Sequence, residues 1–500
     1  MSAVSFERNR VLCALEECSN SRTLKLIMAR AVVSGLWAAE PIVSARTVAA
    51  CASFDLPLAE IAFAASPRPT AFSYNAMIRA HSAGPSPSLS FLLFSAMLRT
   101  GHYPDRFSFP FLLRAAARSC SPPSAVHAVA LRRSLDGDVH VATSLLHAYA
   151  SCGFPDAARM VFDEMPQRTA VTWCAIISCY AHSAQPCLQH DGLSLFAQMV
   201  SSGGTCADAD AIIGALSCCS VIGSLAHGKA LHALSLRQLP SISAETGTAI
   251  VSMYARSGSL SSATKVFDKM PARDSSTWTA MIGGLAMHGR GKEALALFDA
   301  MVDGNDGLLR PDSLTLTAVF HACSHSGEIE TGMRIFNGMK EVHGVEATVE
   351  HYGAVVDMLG RAGRLEEAER VVGAMPFAPN RVIWGSLLHA YAVRGEVGEG
   401  EKMERRASEF CFGSDEEDEE VVVGGILVGL SNAFAGAGRW GKVGRMRDEM
   451  SARGVRKESA FSMVEVEGRS HRFLVGEAGH PRTLELYQLL NGINQKMMEI

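Results

Sequence analysis

The phrase VFDEMP at residues 161–166 returns as VFDKMP at 266–271 and, more loosely, as VVGAMP at 371–376. The methionines Met165, Met270 and Met375 fall at intervals of 105 residues. A chain that repeats itself at a fixed interval builds along one axis, because no single unit can bury its apolar face alone and stacking neighbours supply the core. That frees a chain of 500 residues from needing one oversized hydrophobic core.

The interval recovers more than the methionine. Leu145, Ile250 and Val355 align, as do Tyr149, Tyr254 and Leu359, then Ala158, Ala263 and Ala368. Within one copy, Leu145, Leu146 and Tyr149 share a helical face, and Ala158, Val161, Phe162 and Met165 share another at i, i+3, i+4, i+7. Between the two faces, Gly153, Gly258 and Gly363 supply the turn conformation that ends a helix. Pro166, Pro271 and Pro376 stop the second helix, since proline cannot continue the hydrogen-bond ladder. Each copy is a helical hairpin of roughly thirty residues.

Three hairpins fill one period. One type opens with an aromatic, as in SYNAMIRAHS from Ser73, TWCAIISCYA from Thr172, TWTAMIGGLA from Thr277 and IWGSLLHAYA from Ile383. A second opens more softly, in FSFPFLLRAA from Phe107, DAIIGALSCC from Asp210 and TLTAVFHACS from Thr315, and reads as the first helix of a hairpin rather than a strand. The third ends in Met-Pro. The expected fold is all-α, an α-solenoid of stacked helix-turn-helix hairpins.

Composition narrows the setting. The chain is 48% hydrophobic and 7% aromatic, which suits helices of small and aliphatic residues and excludes a disordered chain. Thirteen scattered cysteines without any Cys-x-x-Cys pair point to buried thiols in a reducing compartment. No apolar run is long enough for a membrane span. The amino-terminal stretch carries Glu7, Glu16 and Glu17 and matches an acid-poor transit peptide poorly. The run DEEDEE at 415–420 holds six negative charges, more than the whole net charge of −5, and reads as a solvated insertion that leaves the remainder near neutral.

The threefold alternation with Met-Pro endings resembles the plant pentatricopeptide repeat (PPR) proteins of the PLS subclass. YPD at 103–105 and RPD at 310–312 look like P-type endings, CSHSGEIETGMRIFNGM at 323–339 like an L unit, and the Met-Pro hairpins like S units. LIMARAVVSGL at 26–36 is similar to a degraded L unit, and 43–69 to an S unit. WGSLLHAYAVRGEVGEGEKM from Trp384 and VGLSNAFAGAGRWGKVGRMRDEMSARGVRKE ending at Glu458 look like two E motifs, and 462–490 like the E+ extension. ESAFSMVEV stands where the family usually shows Pro-Gly and a tryptophan. The implied organisation is a degenerate L-type repeat within 1–40, a repeat array over 41–380, two E motifs over 381–458 and an E+ like extension over 459–500. In longer relatives the extension leads into a zinc deaminase of the DYW type, which needs His-x-Glu and Cys-x-x-Cys. The sequence contains neither pattern, so no enzyme activity, cofactor or metal site is expected of it.

What the resemblance implies is a right-handed superhelix whose first helices line a concave face, reading single-stranded RNA one base per unit. The family reads each base with the fifth residue of the unit and its last, and sandwiches it with the second. Carried onto this chain, the P units offer Asn75 with Asp105, Cys174 with Asp208, and Thr279 with Asp312. The S units offer Thr143 with Thr169, Thr248 with Asp274, and Gly353 with Asn380. Phe72 and Val171 are the sandwiching residues. A carboxylate only accepts hydrogen bonds, so aspartate suits bases with a ring N–H, uracil and guanine. In the family pattern Asn75/Asp105 takes U, whereas Thr248/Asp274 and Thr279/Asp312 take G. The plainer readings are helix capping for Asn75 and Thr279, turn formation for Asp105 and Asp312, and packing for Trp173, Trp278 and Trp384. His182, His288, His321 and His325 fit no ligand spacing.

The resemblance implies a site-recognition factor for organellar C-to-U editing, partnered by single-stranded RNA, a DYW-type deaminase in trans and multiple organellar RNA editing factors, with neither DNA nor membrane. Mitochondrion is the implied compartment, chloroplast the alternative. Two other readings stay open: an RNA factor for splicing, end protection or translation, and a protein-binding helical scaffold. Against the scaffold stand the Pro-Asp endings and the absence of the tetratricopeptide pattern W-x-x-L-G-x-x-Y.

Overall fold

The computed structural model describes residues 3–18, 20–119, 121–183, 186–202, 207–304, 309–394, 427–428, 431, 434–435, 438–452, 461–466, 469–474, 485 and 488. It divides into two compact units, Met1–Ile222 and Gly223–Ile500.

In the first unit the hairpins run Pro41–Phe54 with Leu56–Ala64, Ala71–Ala83 with Leu89–Arg99, Ser108–Arg118 with Ser124–Arg132, Val139–Ser151 with Pro155–Glu164, and Ala170–Ala181 with Pro186–Ser201. Helices Ala3–Glu16 and Ser21–Val33 precede them, and Ala209–Ile222 closes the unit. First helices pack on first helices along the row, each also on its own second helix. The second unit repeats the scheme with Ala244–Arg256 and Leu260–Lys269, Ser275–Met287 and Gly291–Asp303, Ser313–Ser326 and Ile329–Gly338, Val349–Ala362 and Leu365–Gly373, then Arg381–Arg394. Each unit is thus a solenoid of helical hairpins. Among the described residues the departures from α-helix are a π-helical turn at Met339–His343 and an antiparallel strand pair, Phe461–Val466 with Arg469–Leu474.

The 105-residue correspondences are structural ones. Leu145, Ile250, Val355, Ala158, Ala263 and Ala368 are all sealed in the core. Gly153, Gly258 and Gly363 have φ of 77°, 80° and 73°, the left-handed conformation that costs other residues about 1–2 kcal/mol. The second helices end at Glu164 and Lys269, each one residue before methionine. Met165 and Met270 are extended, as the residue preceding a proline must be to avoid its ring.

The joints between hairpins follow one rule. Asp138, Thr169, Ser243, Asp274 and Asp312 each cap a first helix by accepting a hydrogen bond from the amide three residues on. In four cases, at Thr70, Thr169, Asp312 and Thr348, the third helical residue returns the bond, completing a capping box. The acidic insertion at 415–420 and most of the segment matched to the E motifs lie outside the described residues.

Candidate nucleic-acid interface

Thr169, Asp274 and Asp312, each the last residue of a hairpin, are also caps of the next first helix, and Asp105 and Asp208 likewise accept the amide three residues on. Asn75 Nδ2 donates to Asp105 Oδ1 at 3.1 Å. The same oxygen accepts the amides of Phe107 and Ser108, each at 3.0 Å. Cys174 Sγ lies 3.2 Å from Asp208 Oδ1, which also accepts the Ala211 amide at 2.9 Å.

Two further pairs meet through a bridging hydroxyl. Thr248 Oγ1 is 2.7 Å from Thr277 Oγ1, and Thr277 Oγ1 donates to Asp274 Oδ1 at 2.7 Å. Thr279 Oγ1 is 2.7 Å from Thr315 Oγ1, which donates to Asp312 Oδ1 at 2.8 Å. Burial alone would raise the Asp312 carboxyl; bonds from the Thr315 amide and hydroxyl and from Ser275 hold it below its ordinary value. Burial and the neighbouring Asp208 push the Cys174 thiol up to about 12, so it stays protonated and donates.

No hydrogen bond joins the remaining two pairs. Thr143 turns its hydroxyl onto the Val139 carbonyl, and Thr169 is occupied by its capping box with Thr172. Gly353 has no side chain to offer, and Asn380 accepts the Ile383 amide at 3.0 Å. Asn75 and Thr279 are not the caps of their helices, since Thr70 and Asp274 hold those places. Asp105 and Asp312 do shape the joint, and the same carboxylates meet the preceding hairpin.

Phe72 and Val171 stand 51% and 56% exposed, each two residues after a cap. At the same offset, sequence reasoning passed over Ile42, Phe107, Leu314 and Val382, which are 50%, 58%, 71% and 62% exposed. Their signal was available as an apolar residue at cap plus two, next to buried positions. Arg46 already lies over the Phe72 ring, 5.6 Å from its centroid. A cleft of about 690 Å³ opens at Val171, Cys174, Ser178 and Asp208, with His147 and His182 on its wall. In the second unit a cleft of about 360 Å³ opens at Thr279, Leu314, Thr317 and His321. Each therefore offers hydrogen-bonding groups beside an exposed apolar side chain.

Trp173 and Trp278 belong to the packing. They meet Phe162 and Phe267 edge to face, with ring centroids 4.8 and 5.1 Å apart. Among the described residues no three His, Cys, Asp or Glu side chains converge as metal ligands would.

The PPR repeat family model matches residues 273–325, and the PPR repeat model matches 141–169, 248–275, 314–342 and 350–376. A pentatricopeptide repeat-containing protein of Arabidopsis thaliana, named as chloroplastic/mitochondrial, is 36% identical over 440 residues, covering 86% of this chain and 68% of that protein. A second from the same plant is 32% identical over 486 residues, covering 96% and 78%. The mitochondrial pentatricopeptide repeat-containing protein OGR1 of Oryza sativa subsp. japonica is 36% identical over 456 residues, covering 89% and 74%. The crystal structure of the maize pentatricopeptide repeat protein PPR10 matches 92% of this chain and 84% of its own at 14% identity, with a TM-score of 0.38.

Proposed function

The chain belongs to the pentatricopeptide repeat family, and from that premise we propose that it binds single-stranded RNA in a sequence-specific way as a site-recognition factor for organellar C-to-U editing. One observation carries the binding half of this reading. A carboxylate joined to the fifth residue of the preceding hairpin recurs at Asp105, Asp208, Asp274 and Asp312. At Asp105 and Asp312 it stands two residues before an exposed apolar side chain, Phe107 and Leu314. Hydrogen-bonding groups next to apolar wedges are what a base requires, edge to one and face to the other.

The editing half is supported by the PLS-like alternation and by the E and E+ like sequence over 381–500. In this reading the chain chooses the cytidine and a DYW-type deaminase, assisted by multiple organellar editing factors, performs the chemistry. The relatives' names support an organelle, mitochondrion or chloroplast. Deleting 381–500 tests the assignment: RNA binding should persist while conversion of the target cytidine disappears. Conversion that survives the deletion would favour a role in splicing, end protection or translation instead.

A further inference from the structure

Three of the four joined pairs include a third residue. Ser108, Thr277 and Thr315 each stand three residues after the closing residue of a hairpin, and each touches both that residue and the fifth residue of the same hairpin. We propose that this hydroxyl is a positioning residue for base discrimination: it fixes which hydrogen-bonding groups the fifth residue turns toward a bound base. The inference rests on the base-reading assignment above and goes beyond it, because it places a determinant of specificity in the neighbouring module.

The proton inventory supports it. An ionised Asp105 can only accept, so the Asn75 amide must point Nδ2 at it, as the 3.1 Å contact shows. Asn75 Oδ1 then faces Ser108 Oγ at 2.7 Å. The single Ser108 proton, which also lies within reach of Asp105 Oδ1 at 3.0 Å, goes to the amide oxygen, since two lone pairs would otherwise meet there, and Ser108 Oγ accepts the Asp105 amide at 3.1 Å. The amide is held at both ends and cannot flip. It keeps one N–H and one lone pair for a ligand, beside Asp105 Oδ2, for which no bond is formed among the described residues. Uracil supplies a ring N–H for that carboxylate oxygen and a carbonyl for the amide, whereas cytosine would set a lone pair against the carboxylate.

The threonine modules are wired the other way. Asp274 Oδ1 takes the Thr277 proton, which obliges Thr248 to donate its own proton to Thr277. Thr279 likewise donates inward, to Thr315 or to the Ser275 carbonyl at 2.8 Å. Both fifth residues are left as acceptors next to a carboxylate. Guanine presents two donors, its ring N–H and exocyclic amine, and adenine's ring nitrogen has no proton to give. The Cys174 module provides an internal comparison, because Ala211 occupies its third place and the thiol meets Asp208 unsupported.

The test uses the full chain and single-stranded RNAs that differ only at the letter opposite one module. Ser108→Ala should reduce the U-over-C affinity ratio at the Asn75 module at least fivefold, leave the G-over-A ratios at the Thr248 and Thr279 modules unchanged, and be rescued by Ser108→Thr. Thr277→Val should do the same at the Thr248 module alone, with Thr277→Ser neutral. In the other direction, adding Ala211→Ser to Cys174→Asn should raise the U-over-C ratio above that of Cys174→Asn by itself. A residue that only caps its helix would lower stability and weaken all RNAs alike. If the wild-type preference survives Ser108→Ala and Thr277→Val, the positioning role is wrong while base reading stands. A wild-type chain without preference at these modules overturns both together.

Discussion

Arg273 lies over the ring of Phe267, 4.6 Å from guanidinium carbon to centroid, and donates Nε to the Phe267 carbonyl at 2.8 Å. Its Nη2 reaches the Asp268 carbonyl at 2.9 Å. One period earlier Arg168 treats Phe162 and Asp163 in the same way, at 4.8, 3.2 and 3.1 Å. One side chain thereby reaches two of the last carbonyls of the second helix, the first of which also accepts the amide of Met270 or Met165, and stacks on the ring beneath. Replacing Arg273 by alanine should destabilise its module by about 1–2 kcal/mol, and lysine, lacking the planar fork, should restore little. Amide hydrogen exchange across 260–270 reads this locally; unchanged protection would show that the clamp is idle. The third copy has Val372 and Ala378 at these places, so the hairpin ending at Pro376 should open first.

Close approach of first helices gives a second expectation. A Cβ added to Gly284 would stand 2.6 Å from the Ala255 Cβ, a methyl that cannot swing aside. Gly284→Val should therefore cost about 1–3 kcal/mol through forced separation of neighbouring hairpins. At Gly247 the clash is with the end of Met270, at 2.5 Å, so alanine there should be tolerated by a change of Met270 rotamer. Thermal melts of the two variants should differ plainly; equal losses would contradict this account.

Acid should weaken the stack. His127 Nδ1 lies 3.0 Å from the Tyr149 hydroxyl, and one period on His232 Nδ1 lies 3.1 Å from that of Tyr254. Burial pulls both imidazoles below their ordinary value, Glu164 and Asp136 offsetting part of the effect at His127. The unfolded chain consequently binds protons that the folded chain refuses. Their contribution is fully present above the unfolded value of about 6.5 and fades as pH falls through it. The urea midpoint should drop between pH 7 and 5.5, and His127→Phe should shrink that drop. A parallel pH profile for the variant would sink the assignment.

RNA binding should depend on the exposed apolar row. Phe72→Ala and Leu314→Ala should each weaken binding of a matched strand by about 1–3 kcal/mol, the range for one stacked base. With one base per module, that strand carries U opposite the Asn75 module and GG opposite the adjoining Thr248 and Thr279 modules. Gel-shift titration against a scrambled strand checks it, and equal affinities would favour a protein-binding scaffold.

Much of the fold was legible because its determinants are local. The left-handed glycines, the proline stops and the apolar stripes of Leu145 or Ile250 each act within a few residues, and the period multiplies the signal. The site was legible in part. Register alone pairs Asn75 with Asp105, and the two share a hydrogen bond; register alone also pairs Thr143 with Thr169 and Gly353 with Asn380, whose hydrogen bonds go elsewhere or are not formed. Ser108, Thr277 and Thr315 were hidden because each sits in the unit after the one it serves, a relation that only the stacking creates. The wedge-like row at cap plus two was hidden for another reason. An apolar residue beside buried ones looks like core until exposure distinguishes Leu314 from Leu316.

Because the closing residue of one hairpin starts the helix of the next, its identity answers to two demands at once. Only short polar side chains begin helices well, chiefly aspartate, asparagine, serine and threonine. The joints at Asp138, Thr169, Ser243, Asp274, Asp312 and Asn380 use just these four. An engineer redirecting such a protein to a new target can exchange members of that set without loosening the joint, and leaves the set at the expense of the architecture. The vocabulary of recognition is bounded by the grammar of helix initiation.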